Sequence, residues 1–253
     1  MRDCLVVGSG RSGTSMLAGV LHASGWNTGD NYLHSRATNP KGFYEDETVN
    51  RVNDRILRTV VADPPRLRGA NRLLPLLFPR RRVNTGLWLA IPQRWPRLPS
   101  DQTAETIRTL TAARPFAYKD PRFCHTLPTW EPFLPSGTVI VCVFREPSRT
   151  ANSIAKEMAT PRYRRVPIRY RRALKVWESA YRQVLSQRDG RWLFIHFDQI
   201  LDGSAFPRLE RALDGPLDRS HIDPALKRSS AIGRIPDSVM RVYEDLCALS
   251  QAG

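Results

Sequence analysis

Nowhere in its 253 residues does the chain have the roughly 18 consecutive apolar residues that a membrane-spanning helix needs; the longest apolar stretch, Leu73 to Phe78, is broken by Pro75. The amino end reaches Gly8 too soon to form a secretory hydrophobic region, so a soluble, unexported chain is expected. Cysteine is scarce. Cys4, Cys124, Cys142 and Cys247 contain no Cys-x-x-Cys pair, which argues against a disulfide framework or a zinc site and fits buried thiols in a reducing cytoplasm. Acidic residues are missing where they matter most. No acid falls between Pro64 and Ser100, where arginines stand at 66, 68, 72, 80, 81, 82, 94 and 97, nor between Pro161 and Arg172, which holds six more. The full count is 39 Lys and Arg against 24 Asp and Glu, a net charge of +15, and the excess sits almost wholly in those two stretches. Such an imbalance calls for an anionic partner: a nucleotide, a lipid headgroup or a nucleic acid. With 41% apolar and 9% aromatic residues the chain can nevertheless fill a core, so wholesale disorder is excluded.

What is present has an α/β pattern. Cys4 to Val7 is a short, wholly apolar run that ends in glycine, and Thr14 to Ala23 follows with Met16, Leu17, Val20 and Leu21 at helical spacing before Gly25. Asp46 to Val61 reads as an amphipathic helix, Ser100 opens another through about Ala113, and Phe116 to Lys119 is a short strand. Thr138 to Phe144 is the strongest strand, rich in β-branched residues and without charge, and is expected in mid-sheet. Helices near 148–157 and 168–187, a strand from Trp192 to Phe197 and helices toward the carboxyl end complete the series. The fold class predicted is a three-layer α/β domain spanning 1–253, a mostly parallel central sheet flanked by helices. Residues 62–100, rich in proline and arginine, read as an irregular insertion or a lid over the acceptor.

The chemistry concentrates at two strand ends. Gly8-Ser9-Gly10-Arg11-Ser12-Gly13-Thr14-Ser15 lies between the first strand and first helix, where small residues let successive backbone N–H groups turn inward toward a phosphate or sulfate. The spacing Gly8-x4-Gly13 is that of a P-loop, but Thr14 stands where an NTPase carries its lysine, and the cation is Arg11 within the loop. The strongest strand ends in Phe144-Arg145 and offers no carboxylate for magnesium, so a nucleotide that needs no metal is favoured over an atypical P-loop NTPase or small-molecule kinase. A non-enzymatic basic module that binds nucleic acid or membrane is a third alternative, one whose binding would collapse with salt.

Arg11-Ser12-Gly13-Thr14-Ser15 resembles the 5′-phosphosulfate loop of sulfotransferases that use 3′-phosphoadenosine 5′-phosphosulfate (PAPS), in the form found among carbohydrate-type and bacterial members. Arg145-Glu146-Pro147, with Ser153 eight residues after Arg145, is similar to that family's 3′-phosphate motif. The resemblance extends to Asn39-Pro40-Lys41-Gly42-Phe43-Tyr44-Glu45, to Tyr118-Lys119-Asp120-Pro121-Arg122 with Leu127-Pro128 downstream, and to His196 through Leu201. It implies a P-loop NTPase-like sulfotransferase fold and a PAPS-dependent enzyme with no metal, in which Gly10, Arg11, Ser12, Gly13, Thr14, Ser15, Arg145 and Ser153 bind the cofactor. It also implies Arg11 and Lys119 beside the transferred group and Glu45, then Asp120, as the acceptor's base. Lys119 reads equally well as a partner of Asp120 or Glu45, and His34 and His125 are substitute bases. The acceptor implied is a small hydroxyl compound (sugar, glycolipid or secondary metabolite). No nucleic acid is expected, and residues 66–97 could rest on a membrane surface.

Overall fold

The computed structural model describes residues 1–30, 42–61, 86–92, 94, 99–160, 168–223 and 231–251. Its centre is a sheet of four short strands, β1 (Cys4–Val7), β2 (Ala117–Lys119), β3 (Val139–Phe144) and β4 (Trp192–His196), in the order β2-β1-β3-β4 and all parallel. Cys4 stands opposite both Ala117 and Val139, and Ile140 opposite Trp192. The charge-free run of β3 is buried along its whole length, as a strand covered on both faces must be.

Alternation along each strand divides the core in two. Leu5, Val7, Ile140, Cys142 and Phe144 face one layer, built from α2 (Glu47–Arg58), α3 (Asp101–Ala112), α4 (Phe123–Trp130), α5 (Pro147–Met158), α6 (Tyr170–Gln187) and α9 (Asp237–Gln251). Cys4, Val6, Val139, Val141 and Val143 face the other, which holds α1 (Thr14–Ala23), α7 (Phe197–Leu201) and α8 (Phe206–Leu213). The result is the expected three layers, unevenly loaded. The four cysteines are free thiols, and burial raises the pKa of each.

Local signals account for the element ends. Asp46 caps α2, its carboxylate accepting from the amides of Thr48 (2.7 Å) and Val49 (3.1 Å). Gly25 at φ 94 ends α1, its amide reaching His22 O while that of Trp26 reaches Leu21 O, the pairing of a Schellman motif. One helix is not among those read from the sequence: residues 123–130 form α4, despite Pro128 inside it. Of the expected insertion, 62–85, 93 and 95–98 lie outside the described residues. The part that is described includes a 3₁₀ turn at Gly86–Leu89, fixed by buried Leu87 and Leu89. Among the described residues no helix is long and apolar enough to cross a membrane.

Candidate active site

In a parallel sheet the loops that follow the strands' carboxyl ends gather on one side, and there the two motifs meet. The loop after β1 enters α1 through Gly13 at φ 96, a conformation that disfavours a side chain. A Cβ there would also lie 2.1 Å from the Phe197 ring. Arg11 takes φ 71 without glycine's freedom, a strain of roughly 1 kcal/mol of the kind that persists at ligand sites. No side chain caps the start of α1 and no acid stands in its first turn, so its dipole has no compensating acid in that turn. Ser12 and Thr14 are buried and Ser15 half-buried at this turn, and Gly10 is packed so closely beneath Trp88 that a Cβ would meet its ring at 2.5 Å.

The loop is tied to the second motif. Tyr181 of α6 donates to Val143 O (2.8 Å) while accepting from the Ser9 amide (3.2 Å), which joins the loop to β3. One turn earlier, Trp177 donates to Arg145 O at 3.2 Å. Two residues that the resemblance implied for the cofactor come together: Arg11 Nε donates to Ser153 Oγ at 3.1 Å, across 142 positions of sequence. Arg145 is 6% exposed, its guanidinium 4.7 Å above the Phe197 ring, and its Nε and Nη2 are buried without a protein partner. Its neighbour Glu146 caps α5, accepting from the amides of Ser148 (3.1 Å) and Arg149 (2.8 Å). Burial lowers the pKa of Arg145, and Arg149 and Arg11 lower it further against the opposing pull of Asp198 and Glu146. Unpartnered guanidinium donors in a crowd of positive charge form a site that an anion would complete.

A second cluster lies at the end of β2. Lys119 Nζ forms a buried ion pair with Glu45 and also donates to Phe43 O at 3.3 Å. Asn50 of α2 donates to the other Glu45 oxygen at 3.2 Å. Burial pushes the Glu45 carboxyl up, but Lys119 and Arg122 outweigh it and hold its pKa below the usual carboxylate range. Tyr44, at φ 50, packs its ring between those of His22 (5.5 Å) and His221 (5.2 Å) just before this carboxylate. Asp120 is placed differently. Fully buried, it accepts from Asn53 Nδ2 (3.0 Å), the Arg122 amide (2.8 Å) and Arg122 Nη1 (3.0 Å), while Arg122 Nε pairs with Asp54 at 2.7 Å. Burial raises the Asp120 pKa against the pull of Arg122. These bonds tie α2 to the start of α4, and Asp120 serves that joint. His125 is buried on α4, its pKa pushed down to about 4 by burial alone; His34, Asn39, Pro40 and Lys41 lie outside the described residues. Among the described residues no group of His, Cys, Asp or Glu could hold a metal ion.

The sequence reading passed over Trp177, Tyr181, Phe197 and Trp88. The first two left a trace: aromatics with polar tips, four residues apart, lie on one face of a helix and can both reach the same pair of strand ends.

The chain can be compared with known proteins. No curated protein sequence matches it. Among solved structures it is similar to a sulfotransferase domain from the curacin biosynthetic pathway, at 12% identity and a TM-score of 0.54, covering 97% of each chain. It is similar also to the sulfotransferase domain of the Synechococcus PCC 7002 olefin synthase, at 14% identity and a TM-score of 0.58, covering 98% of this chain and 94% of that one. At such identities these likenesses speak for the fold. Residues 4–204 match the family described as the Sulfotransferase family, a span that holds both strand-end motifs and the Lys119–Glu45 pair, and the chain belongs to that family.

Proposed function

We propose that the chain transfers the sulfuryl group of PAPS to a hydroxyl of a small acceptor, without a metal. The observation that carries this reading is the Arg11–Ser153 hydrogen bond, which joins the two anion-seeking strand ends into one cleft beside the unpartnered donors of Arg145. The residues fit such a donor: an uncapped helix start and an arginine for one anionic end, a buried arginine and a serine for the other. PAPS supplies an activated sulfuryl group on a phosphate leaving group. Arg145 and Ser153 would hold the 3′-phosphate. Arg11, the loop amides and the hydroxyls of Ser12, Thr14 and Ser15 would stabilise charge gathering on the departing oxygen.

Lys119 and Glu45 stand on the acceptor side. Glu45, ionised because Lys119 and Arg122 depress its pKa, can accept the acceptor's proton, and Lys119 holds it in place while adding positive charge near the transferred group. The acceptor class, a sugar, glycolipid or secondary metabolite, belongs to this proposal, as does peripheral membrane contact through 66–97, most of which lies outside the described residues.

Calorimetry with 3′,5′-adenosine bisphosphate and with ATP plus magnesium tests the donor: tighter, magnesium-independent binding of the bisphosphate is expected, and the reverse preference would return the chain to the kinase reading. Labelled PAPS incubated with an extract of lipids and sugars then identifies the acceptor. Glu45→Gln is expected to lower kcat by about 10²–10⁴-fold, the usual contribution of a positioned base, with bisphosphate affinity nearly intact. In the unaltered enzyme, the acid limb of the kcat profile should fall below the ordinary carboxylate range, because the base loses function only as pH drops through its depressed pKa. An unchanged kcat for Glu45→Gln would remove it from this role.

A further inference from the structure

A recess unconnected with the strand-end motifs lies along the open edge of the sheet. Among the described residues β4 is an edge strand, paired with β3 alone, and beside it Arg188, Asp189, Trp192, Leu193, Phe194, Arg208 and Leu249 line a cavity of about 370 Å³. That volume is within the range of small-molecule sites. Its position separates it from the nucleotide cleft. Trp192 begins β4, whereas His196, opposite Phe144 and so level with the Arg145 motif, ends it; four residues of strand span about 13 Å.

The lining has the character of a binding site in three respects. Trp192 and Phe194 present rings stacked at 5.9 Å and 18°, a flat apolar wall. Its charge is positive on balance: the lining holds two arginines, Arg188 and Arg208, against one carboxylate, Asp189, which is engaged at 2.6 to 3.2 Å by Arg191, itself also paired with Glu131. Two of the lining residues also carry buried donors with no protein partner, Arg208 Nη1 and Trp192 Nε1. Arg208 Nη2 has only a long contact to Gln199 Oε1 at 3.4 Å, and Arg188 gives Nη1 to Leu185 O at 2.7 Å. A buried donor left unmade costs about 1–3 kcal/mol, a cost that an anionic oxygen brought to either donor would relieve.

We propose that this recess is a second ligand site, distinct from the nucleotide cleft, for a small organic anion with a flat apolar body, its carboxylate or sulfo group on Arg208 and Trp192 Nε1 and its body against the Trp192 and Phe194 rings. Both oxyanions share this chemistry, and a sulfo group would make the ligand akin to a sulfated product.

The test is calorimetric titration of the full chain, first alone and then with 3′,5′-adenosine bisphosphate in excess, using naphthalene-2-sulfonate, 2-naphthoate and uncharged 2-naphthol. Both anions should bind one per chain, their ratio reporting which headgroup the site prefers, and the naphthol should bind at least about tenfold more weakly. Arg208→Gln should weaken the anions by a similar factor, Trp192→Phe should do so while keeping the aromatic wall, and Arg145→Met should leave anion binding unchanged. Equal affinity for the naphthol, displacement by the bisphosphate, loss of binding in Arg145→Met, or no saturable binding of either anion would each overturn the proposal. Because the readout needs neither PAPS nor turnover, failure here leaves the sulfotransfer reading standing, and failure of that reading leaves this site standing.

Discussion

Arg145→Met should weaken 3′,5′-adenosine bisphosphate binding by roughly 100-fold or more while leaving the melting temperature unchanged or raised. The two halves of this expectation share one cause. Arg145 Nε and Nη2 are buried without protein partners, so in the free protein the guanidinium bears a desolvation cost that the Phe197 ring and the pull of Asp198 and Glu146 offset only in part. Removing it relieves that cost, and the methionine stem keeps most of the packing. Hydrogen bonds from a charged donor contribute about 1.5–3 kcal/mol each, so two lost to a bound phosphate come to at least two orders of magnitude in affinity. Paired calorimetry and thermal melts separate this from a structural role, in which the variant would melt several degrees lower and bind as before.

Arg122→Leu should do the opposite: a large loss of stability. Arg122 is 3% exposed and faces Asp120, Asp54 and the Asn50 side-chain oxygen. Taking it away strands a fully buried carboxylate, and breaking such a pair from one side costs about 3–5 kcal/mol, on the order of a 10 °C fall in Tm for a chain this size. The deficit should shrink in acid. Burial already raises the folded-state pKa of Asp120, and without Arg122 it rises further, so the penalty is full above that pKa and disappears as pH falls through it and the group becomes neutral. Melts at pH 5 and pH 7.5 check the sign; an equal deficit at both would mean that Asp120 is not the group left exposed to the loss.

The two strand-end motifs were legible because each is local: an apolar strand, a short turn and a helix start in one stretch of sequence. What was hidden was long-range or compensated. Pro128 reads as a helix breaker since it cannot bond to the carbonyl four residues back, yet that carbonyl, Cys124 O, receives Gln187 Nε2 from α6 at 3.2 Å, and the helix continues. The Lys119–Glu45 pair joins residues 74 apart, and spacing alone left Lys119 free to choose either acid. Asp120 was the second base that the resemblance implied, and its bonds to Asn53 and Arg122, which bind it into a joint between helices, could not be read from spacing. Trp88 lay in a stretch whose prolines and arginines gave no period from which to infer what it covers.

That joint bears on how acceptor preference could be altered. On the proposed function, the groups on the nucleotide side hang from β1, β3, α5 and α6, while Glu45 and Lys119, on the acceptor side, belong to segments 42–61 and 117–130, which are stitched to each other by Asn50, Asn53, Asp54, Asp120 and Arg122. The two segments therefore form a cassette. A chimaera that imports either one from a relative inherits half of a polar lock, whereas moving both together carries the lock intact and leaves the donor machinery native.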